Sequence, residues 1–572
     1  MMNPRVVPYA LGLLFIMAIP YSGAAAESPA PPAPTPVAYE LTPEARLADY
    51  LRGRFPCGIL RVEATDDQII VELDTGREKG ELFLCEVPIF ESVTELKPSL
   101  ELVPLNGRRG RVRLEAPRRR PVGQGFHDRL FSRWVIARKS GASLEAASHA
   151  RYPDAVKPRA DLPEERPISK KGLGGFSAGR SPLSDLDDLG IHSVTVNIVL
   201  DGLLRLSPGD GRLPFQFEGR TYFADQGQVA GLDKTMLEAA RRHVIVSAII
   251  LVNRAAGIAD HALAKALPHP DAIEGHFAMP NVNDPEGWQD YAAGLDFLAS
   301  RYGRADGRYG RIHHWIMHNE VDAGWEWTNA GHKSVLLFMD LYQKSMRTAY
   351  YVARQYDAHA KVFISLTHFW NWTPDKHFYL PKEMLDLLLD FSRAEGDFDW
   401  AIAQHPYPQS LAKPRVWEDE QVDFTFNTPL ITFKNIEVLD AWVRQPRAFY
   451  HGRPRVIHLT EQGLNSPDYS ERSLQDQAAG MAYAWKKIER LNSIEAFDYH
   501  NWVDNRGEGG LRIGLRRFPD DRDDPLGKKP IWQVYQKLET PEEDQACEFA
   551  MPILNIHDWR QVCHRGRVGP GP

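Results

Sequence analysis

The sequence has few cysteines and none of the compact ligand patterns of metal proteins. Its 572 residues include four cysteines, Cys57, Cys85, Cys547 and Cys563, and no two of them have the C-x-x-C spacing of a zinc site. There is also no H-E-x-x-H motif. An even number of cysteines permits disulfides in an exported chain, and among the possible connectivities we expect the local pairings Cys57–Cys85 and Cys547–Cys563. The sequence therefore predicts neither a metal ion nor an organic cofactor.

An excess of positive charge is also missing. The formal net charge is −8 at pH 7, so a basic footprint for nucleic acid is not expected. The chain is 43% hydrophobic and 25% charged, as soluble globular proteins are. Beyond the N-terminus, no apolar run is long enough to cross a membrane. These absences leave a globular protein that we expect to bind neither nucleic acid nor a membrane once its leader is removed. They do not predict its oligomeric state.

Residues 1–26 have the pattern of a signal peptide. Arg5 precedes an apolar run at Val6–Pro20, and small residues follow at 23–26, which predicts cleavage after Ala26. Residues 27–37 are rich in proline and alanine and are typical of an extended linker. The N-terminus thus predicts a secreted or periplasmic protein.

The rest of the chain changes texture near residue 160. Residues 38–160 contain one short helical segment and then short strand patterns separated by turn residues, which predicts a β-sandwich-like domain. This region has no catalytic cluster, and a carbohydrate-binding role is left open for it. Residues 541–572 form a C-terminal extension, which the second cysteine pair would tie down.

Between residues 165 and 540, strand and helix patterns alternate, and eight strands can be counted. Apolar runs such as HVIVSAIILV are typical of strands buried on both faces, as in parallel sheets. Strict alternation predicts an α/β fold, a closed (β/α)8 TIM barrel. An open doubly wound sheet is the alternative, but no G-x-G-x-x-G follows the first strand.

Two predicted strands end in a carboxylic acid. The fourth, in RIHHWIMHNEVDAG, ends at Asn319-Glu320, and the seventh ends at Glu461. The carboxyl ends of barrel strands share one face, so we expect the two acids to meet there. A retaining glycosidase needs such a pair, one ionised to attack the anomeric carbon and one protonated to donate to the leaving oxygen. We assign Glu461 as the nucleophile and Glu320 as the acid/base.

Other residues at strand ends are candidates for binding substrate. His405 and Tyr407, after the sixth strand, are expected to donate hydrogen bonds to Glu461, and Asn319 to bind the sugar 2-hydroxyl. His368 ends the fifth strand. Large aromatic rings in the loops that follow strand ends can stack on sugar faces; these are Trp325, Trp370 and Trp502.

The chain resembles clan A of the glycoside hydrolases over roughly residues 165–540, and within that clan a bacterial secreted branch. The motifs that carry the resemblance are Asn319-Glu320, Glu461 in HLTEQG, His405 and Tyr407 in QHPYP, and Trp502. The resemblance implies hydrolysis of β-glycosidic bonds with retention, a carbohydrate partner and Trp502 as the strand-eight aromatic platform.

The chain departs from the clan at two points. Many members have an arginine near the end of strand two, where this chain offers Asn197; Arg254, after strand three, is a possible substitute. Many members also have proline after Asn-Glu, where this chain has Val321-Asp322. The sugar and the choice between internal and terminal cleavage are therefore not predicted.

Two other functions are compatible with the sequence. One is a carbohydrate-binding barrel without catalysis, against which the intact carboxylate pair argues. The other is a serine esterase that uses Ser177, because residues 175–179 match G-x-S-x-G. That motif requires a helix directly after the serine, and Arg180-Ser181-Pro182 follow instead, which favours a glycine-rich turn.

Overall fold

A computed structural model gives the fold of most of the chain. The residues it describes are 41–78, 80–105, 107–141, 143–564, 566, 568 and 569. The predicted signal peptide and linker lie outside the described residues. The described residues from 43 onward belong to one structural unit. None of the described helices has the length and apolar character needed to cross a membrane.

The region that precedes the barrel is built from short strands, as its turn-rich sequence predicts. Its strands are β1 (Gly58–Ala64), β2 (Gln68–Asp74), β3 (Leu82–Pro88), β4 (Leu102–Pro104), β5 (Arg111–Pro117), β6 (Arg119–Val122), β7 (Gly125–Asp128), β8 (Ser132–Ser140), β9 (Ser143–Ala146) and β10 (Ala155–Val156). They form two four-stranded sheets, β10-β1-β2-β5 and β4-β3-β8-β9, and the hairpin β6-β7. A buried ion pair of 2.9 Å between Arg133 in β8 and Glu395 on a barrel helix fixes this region against the barrel.

The remaining strands confirm the predicted TIM barrel. They are β11 (Lys171–Leu173), β12 (Ser193–Val199), β13 (Leu204–Arg205), β14 (Arg212–Phe217), β15 (Arg220–Asp225), β16 (Ile245–Leu251), β17 (His314–Met317), β18 (Lys361–Leu366), β19 (Trp400–Gln404), β20 (Ile457–Gln462) and β21 (Ile494–Tyr499). Strands β11, β12 and β16 to β21 close into one barrel, and β11 pairs in parallel with β21. Strands β13 to β15 form a small antiparallel sheet inserted after β12.

Helices alternate with the barrel strands and continue beyond them. They are α1 (Pro43–Arg52), α2 (Ser184–Asp188), α3 (Leu200–Leu203), α4 (Gln226–Ala240), α5 (His261–Ala266), α6 (Pro285–Tyr302), α7 (Val335–Arg354), α8 (Pro381–Glu395), α9 (Glu437–Val443), α10 (Glu471–Ile488), α11 (Pro530–Lys537), α12 (Glu543–Glu548) and α13 (Ala550–Leu554). Helix α4 begins at Gln226 because the side chain of Asp225 caps it by accepting from the backbone N–H of Gln228 at 3.0 Å.

Alternating side chains of the barrel strands fill the barrel. Ile249, Ile316, Phe363, Ala401 and Ala403 form one buried cluster, and each belongs to a strand of the closed sheet. Packed interiors of this kind make the barrel a rigid support rather than a pore. Functional groups at the ends of these strands are thus held on a firm base.

The predicted disulfides are not formed. All four cysteines are free thiols, so the pairings Cys57–Cys85 and Cys547–Cys563 are wrong for this structure. The Cys57 thiol donates to a backbone carbonyl after β2 at 3.2 Å, and the Cys563 thiol donates to a backbone carbonyl of α10 at 3.6 Å. Spacing along the chain indicated proximity, but these thiols meet backbone oxygens instead.

The C-terminal extension is held to the barrel by charged groups of α10. Lys487 forms a buried ion pair of 2.8 Å with Glu437 and donates to the carbonyl of Val562 at 2.7 Å. The indole of Trp485 donates to Glu543 at 3.1 Å. These contacts attach the C-terminal extension to the barrel, which is the role that the sequence assigned to a disulfide.

Candidate active site

Glu320 stands on a turn that is fixed to the neighbouring strand. Its φ is +39°, in the left-handed region that non-glycine residues seldom adopt except at functional or tightly determined sites. Its backbone N–H donates to Ser365 Oγ at 3.0 Å, and the N–H of Val321 donates to the Ser365 carbonyl at 2.9 Å. The turn therefore depends on the end of β18 as well as on β17.

The same turn takes His318 out of the barrel interior. His318 also has a left-handed φ, +64°, and its Nε2 lies 2.8 Å from Ser345 Oγ on α7. It points away from the barrel interior, where His314 contacts Phe363. The alternation of side chains along β17 stops before His318 because the strand ends at Met317.

Glu461 lies within β20, where the strand is irregular. The pairing of β20 with β21 shifts register between Leu459 and Gln462, and such a bulge redirects the side chains beside it. The hydroxyl of Tyr407 donates to Glu461 Oε1 at 3.1 Å, as the sequence predicts. The predicted contact between the sixth and seventh strands is thus present.

The two carboxylates come together at the carboxyl ends of β17 and β20. One oxygen of Glu320, one oxygen of Glu461 and one ring nitrogen of His405 all lie within 4.8 Å of one another. Among the described residues, these three form the only cluster of possible metal ligands. The imidazole of His405 is hydrogen-bonded directly to Glu320, so these two members of the cluster are in contact without an ion between them.

His405 supports Glu320, not Glu461 as expected. Its Nδ1 lies 2.9 Å from Glu320 Oε1, and its Nε2 lies 3.1 Å from Thr460 Oγ1. The ring has no exposed surface, and burial lowers its pKa to about 4. A neutral His405 therefore bridges the sixth strand to the acid of the fourth.

The environment of Glu320 favours the protonated acid. Burial raises its pKa to about 7, against a smaller lowering by the charge of His500. A carboxyl group with such a pKa keeps its proton in weakly acidic solution and can release it near neutrality. This behaviour suits a group that first donates and then accepts a proton.

His500 is a site residue that sequence reasoning missed. It follows β21 directly, and its Nε2 lies 3.2 Å from Glu508 Oε2, while Asn501 Nδ2 donates to Glu508 Oε1 at 3.0 Å. Burial lowers the pKa of His500, but the charges of Glu461, Glu508 and Glu320 together outweigh it and raise the pKa overall. The surrounding carboxylates thus favour the protonated form of His500 beside the two acids.

The two tryptophans predicted to stack on sugar from strand eight and loop five are buried. Trp502 is 3% exposed, donates to the carbonyl of Gly174 at 2.8 Å and stacks on Phe176. Trp370 has no exposed surface and donates to the carbonyl of Phe426 at 3.0 Å. In both cases the loop folds back and covers the ring.

Two other predicted binding residues, Trp325 and Arg254, have their described contacts away from the carboxylates. Trp325 is partly buried, with one face stacked on His332 at 3.6 Å between ring centroids. Arg254 donates to the carbonyl of Ile273 at 2.9 Å, so its contact is with its own loop. Neither is brought to the carboxylate pair by a described contact.

Three further candidates remain at strand ends. Asn197 is exposed on β12, on the same face as Thr195, whose hydroxyl accepts from the N–H of Gly175 at 2.9 Å. Asn319 and His368 are partly buried, each two residues after the end of its strand, β17 and β18 respectively. Burial lowers the pKa of His368 to about 4, which leaves it neutral. Their roles toward substrate stay predictions.

Ser177 lies in a turn and not at a nucleophile elbow. Its backbone N–H donates to Ser181 Oγ at 3.2 Å, and the next helix begins only at Ser184. Among the hydrogen bonds of the described residues, none joins the Ser177 hydroxyl to a histidine. The arrangement required of a serine esterase is therefore not assembled here.

Fold and site together define a (β/α)8-barrel protein with a pair of carboxylic acids at the carboxyl ends of its strands. By sequence, the chain belongs to a family of unknown function, DUF5722, whose family model matches residues 163–562. No curated protein matches the sequence.

Solved structures similar to this chain include several glycoside hydrolases. A family 39 glycoside hydrolase from Bacteroides cellulosilyticus WH2 is 11% identical with a TM-score of 0.42, covering 85% of this chain and 83% of that one. A family 1 β-glucosidase from Thermotoga maritima is 14% identical with a TM-score of 0.39, covering 62% and 84%. A β-glucuronidase from Bacteroides uniformis is 11% identical with a TM-score of 0.36 and covers 84% of this chain, which spans about half of its length, 49%.

Proposed function

We propose that the protein is a retaining glycoside hydrolase, with Glu461 as nucleophile and Glu320 as acid/base. The observation that carries the proposal is the approach of oxygens of the two carboxylates to within 4.8 Å at one end of the barrel. Retaining enzymes place their carboxyl groups about 5–5.5 Å apart, whereas inverting enzymes leave about 6.5–9.5 Å for a water molecule. The short separation favours double displacement.

The surroundings of the two acids support different roles. Tyr407 donates a hydrogen bond to Glu461, which holds one carboxylate oxygen in place and suits a nucleophile. Glu320 is buried, with a pKa raised to about 7, and is bonded to the neutral ring of His405. One ionised and one protonated carboxyl group are what the first step needs.

The reaction then takes two displacements. The Glu461 carboxylate attacks the anomeric carbon as the bond to the leaving oxygen breaks, and Glu320 gives that oxygen its proton. The second step is the reverse with water: Glu320 takes a proton from water, the oxygen of that water attacks the anomeric carbon, and Glu461 is released as a carboxylate. The substrate we propose is a β-linked poly- or oligosaccharide.

We also propose that the enzyme acts outside the cytoplasm, because residues 1–26 have the signal-peptide pattern. Expression of the full chain in a bacterial host and N-terminal sequencing of the product tests this. Cleavage after Ala26 is the expected result, and an intact N-terminus in the cytoplasmic fraction contradicts it.

Substitution of the two acids tests the catalytic proposal. Glu461→Gln and Glu320→Gln should each lower kcat on aryl β-glycosides by roughly a thousandfold or more, with melting temperatures close to that of the parent. Glu495→Gln is the matched control, because Glu495 lies at the opposite end of β21 and pairs with Arg166. Unchanged turnover in either acid variant sinks the mechanism.

Azide rescue assigns the two roles. In Glu320→Ala, azide should replace water at the glycosyl–Glu461 intermediate and give a β-glycosyl azide. In Glu461→Ala, azide should replace the missing nucleophile and give the α-anomer. A 2-fluoro glycoside should label the peptide that contains Glu461. Label on any other acid reassigns the nucleophile.

A further inference from the structure

A cavity of about 760 Å³, separate from the carboxylate site, lies between the β-rich region and the barrel. It is bounded by the end of β3, the β6-β7 hairpin, the turn between β14 and β15, and the first turn of α6. None of the lining residues that the structure describes belongs to the carboxylate site. Its volume falls within the range of roughly 300–1,000 Å³ that small-molecule sites occupy.

Two interlocked turns fix the rim of this cavity. Glu218 has a left-handed φ of +47°, and its carbonyl accepts from the N–H of Phe126 at 3.1 Å while its Oε1 accepts from the N–H of Asp128 at 2.7 Å. A Cβ on Gly125 would lie only 2.3 Å from the Glu218 carbonyl oxygen. The barrel insertion and the β-rich region therefore meet so closely that glycine is required, and the cavity is a built feature.

The ionic groups of the cavity wall are already paired within the protein. Five lining side chains have a partner of opposite charge: Glu86 with Arg120 and Arg129, Glu91 with Lys97, Glu101 with Arg129, Arg120 with Glu86, and Arg220 with Asp290. An ionic ligand would have to break one of these pairs. The wall thus offers a charged ligand little net attraction.

The two remaining titratable groups are neutral near pH 7. Burial raises the pKa of Glu218 to about 8, and its Oε2 is reached by the amide of Gln289 at 3.4 Å. Burial lowers the pKa of His127 to about 3, and its Nε2 lies 2.9 Å from Ser132 Oγ. Both contribute polarity without charge.

The other groups on the cavity wall are uncharged, and they combine polar with aromatic side chains. The amides of Gln124 and Gln289 and the hydroxyl of Thr221 supply donors and acceptors, while Phe90 and Phe126 supply partly buried aromatic surface. A pyranose has the complementary make-up, with hydroxyl groups around its edge and C–H groups on its faces. Aromatic side chains suit such amphipathic ligands because they offer apolar area at low entropic cost.

We propose that this cavity is a second saccharide-binding site, separate from the carboxylate pair, and that it takes an uncharged sugar as a chain end or short oligosaccharide. The site needs no catalysis and stands whether or not the barrel hydrolyses glycosides. It gives the β-rich region a function, namely to hold a neutral glycan beside the barrel.

Calorimetric titration of the full chain carrying Glu461→Gln tests the proposal, because that background leaves the probe intact. The probes are cellohexaose, xylohexaose, mannohexaose and laminarihexaose, with trigalacturonic acid as the charged comparison. Thr221→Trp puts an indole into the cavity from an exposed lining position, and Ser143→Trp adds the same group to exposed strand β9, outside the lining. Gln124→Ala removes one lining amide and guards against misfolding of the tryptophan variant.

We expect at least one neutral probe to bind, Thr221→Trp to weaken that binding by roughly tenfold or more, Gln124→Ala to weaken it by roughly threefold or more, and Ser143→Trp to leave it unchanged. With Glu461 intact, Thr221→Trp should hydrolyse a small aryl glycoside as the parent does. The proposal is overturned if no neutral probe binds, if Thr221→Trp and Gln124→Ala both bind like the parent, or if only trigalacturonic acid is displaced by the indole. Loss of hydrolysis in the Glu461 and Glu320 variants is a separate result, so each proposal fails alone.

Discussion

Replacing His500 with glutamine should move the alkaline limb of the pH profile upward. In the parent, burial sets the pKa of Glu320 at about 7. The protonated fraction of such an acid falls from about one half at pH 7 to about one tenth at pH 8. Because the proposed first step needs that proton, kcat/KM should fall about fivefold from pH 7 to pH 8 and about tenfold for the next pH unit.

The sign of the shift follows from the charge of His500. That cation lowers the pKa of Glu320, opposing its burial, and its own pKa is raised by the surrounding carboxylates. Without the cation, the proton on Glu320 is held more tightly. An adjacent opposite charge shifts a carboxyl pKa by about one to three units. We expect the lower end, about one unit, because His500 is also paired with Glu508 at 3.2 Å.

The assay is kcat/KM on an aryl β-glycoside from pH 5 to pH 9. His557→Gln is the matched control, since His557 is exposed and lies near the C-terminus, outside the carboxylate site. A purely structural role for His500 would lower activity at every pH without moving the limb. An unmoved limb, or one displaced to lower pH, refutes the reasoning.

Three other substitutions have defined outcomes. Tyr407→Phe removes the hydrogen bond to Glu461 and should lower kcat/KM by roughly ten- to a hundredfold at unchanged melting temperature, as steady-state kinetics and calorimetry will show. Asp498→Asn should flatten the fall in melting temperature between pH 5 and pH 8. Burial raises the Asp498 pKa from 3.8 to about 7, so folding stability is lost as pH rises between those values, by up to about 4 kcal/mol. Gly463→Ala would place a Cβ 2.2 Å from a backbone carbonyl at the end of β21 and should lower both activity and melting temperature, whereas Gly58→Ala, with nothing within 4 Å, should change neither.

The barrel was predictable because its signals are local. Apolar runs of strand length, helices between them and the order of strands along the chain are each contained in a short window of sequence. Once eight strands are assigned, closure brings their carboxyl ends to one face. The approach of Glu320 to Glu461, 141 positions later, and the bond from Tyr407 to Glu461 both follow from that topology.

The rim of the barrel, where the two carboxylates lie, was harder to predict because its contacts come from distant segments. Ser365 Oγ sets the turn at Glu320, and nothing in the sequence around Glu320 indicates that bond. His405 was expected at Glu461 but reaches Glu320 instead, since which acid a ring meets depends on the bulge in β20. Trp370 was chosen for its ring, yet its loop buries it completely.

At the eighth strand, residue type and residue position gave different answers. The resemblance to clan A favoured Trp502, an aromatic ring that suits sugar. The structure places His500 beside the acids, because it is the first residue after β21, while the indole of Trp502 donates to the carbonyl of Gly174, just after the first strand. Distance from the strand end does not separate the two outcomes, because Tyr407 and Trp502 each lie three residues beyond a strand, yet Tyr407 reaches Glu461 and Trp502 is 3% exposed. What decides is the surface on which each loop packs, and that surface comes from distant parts of the chain.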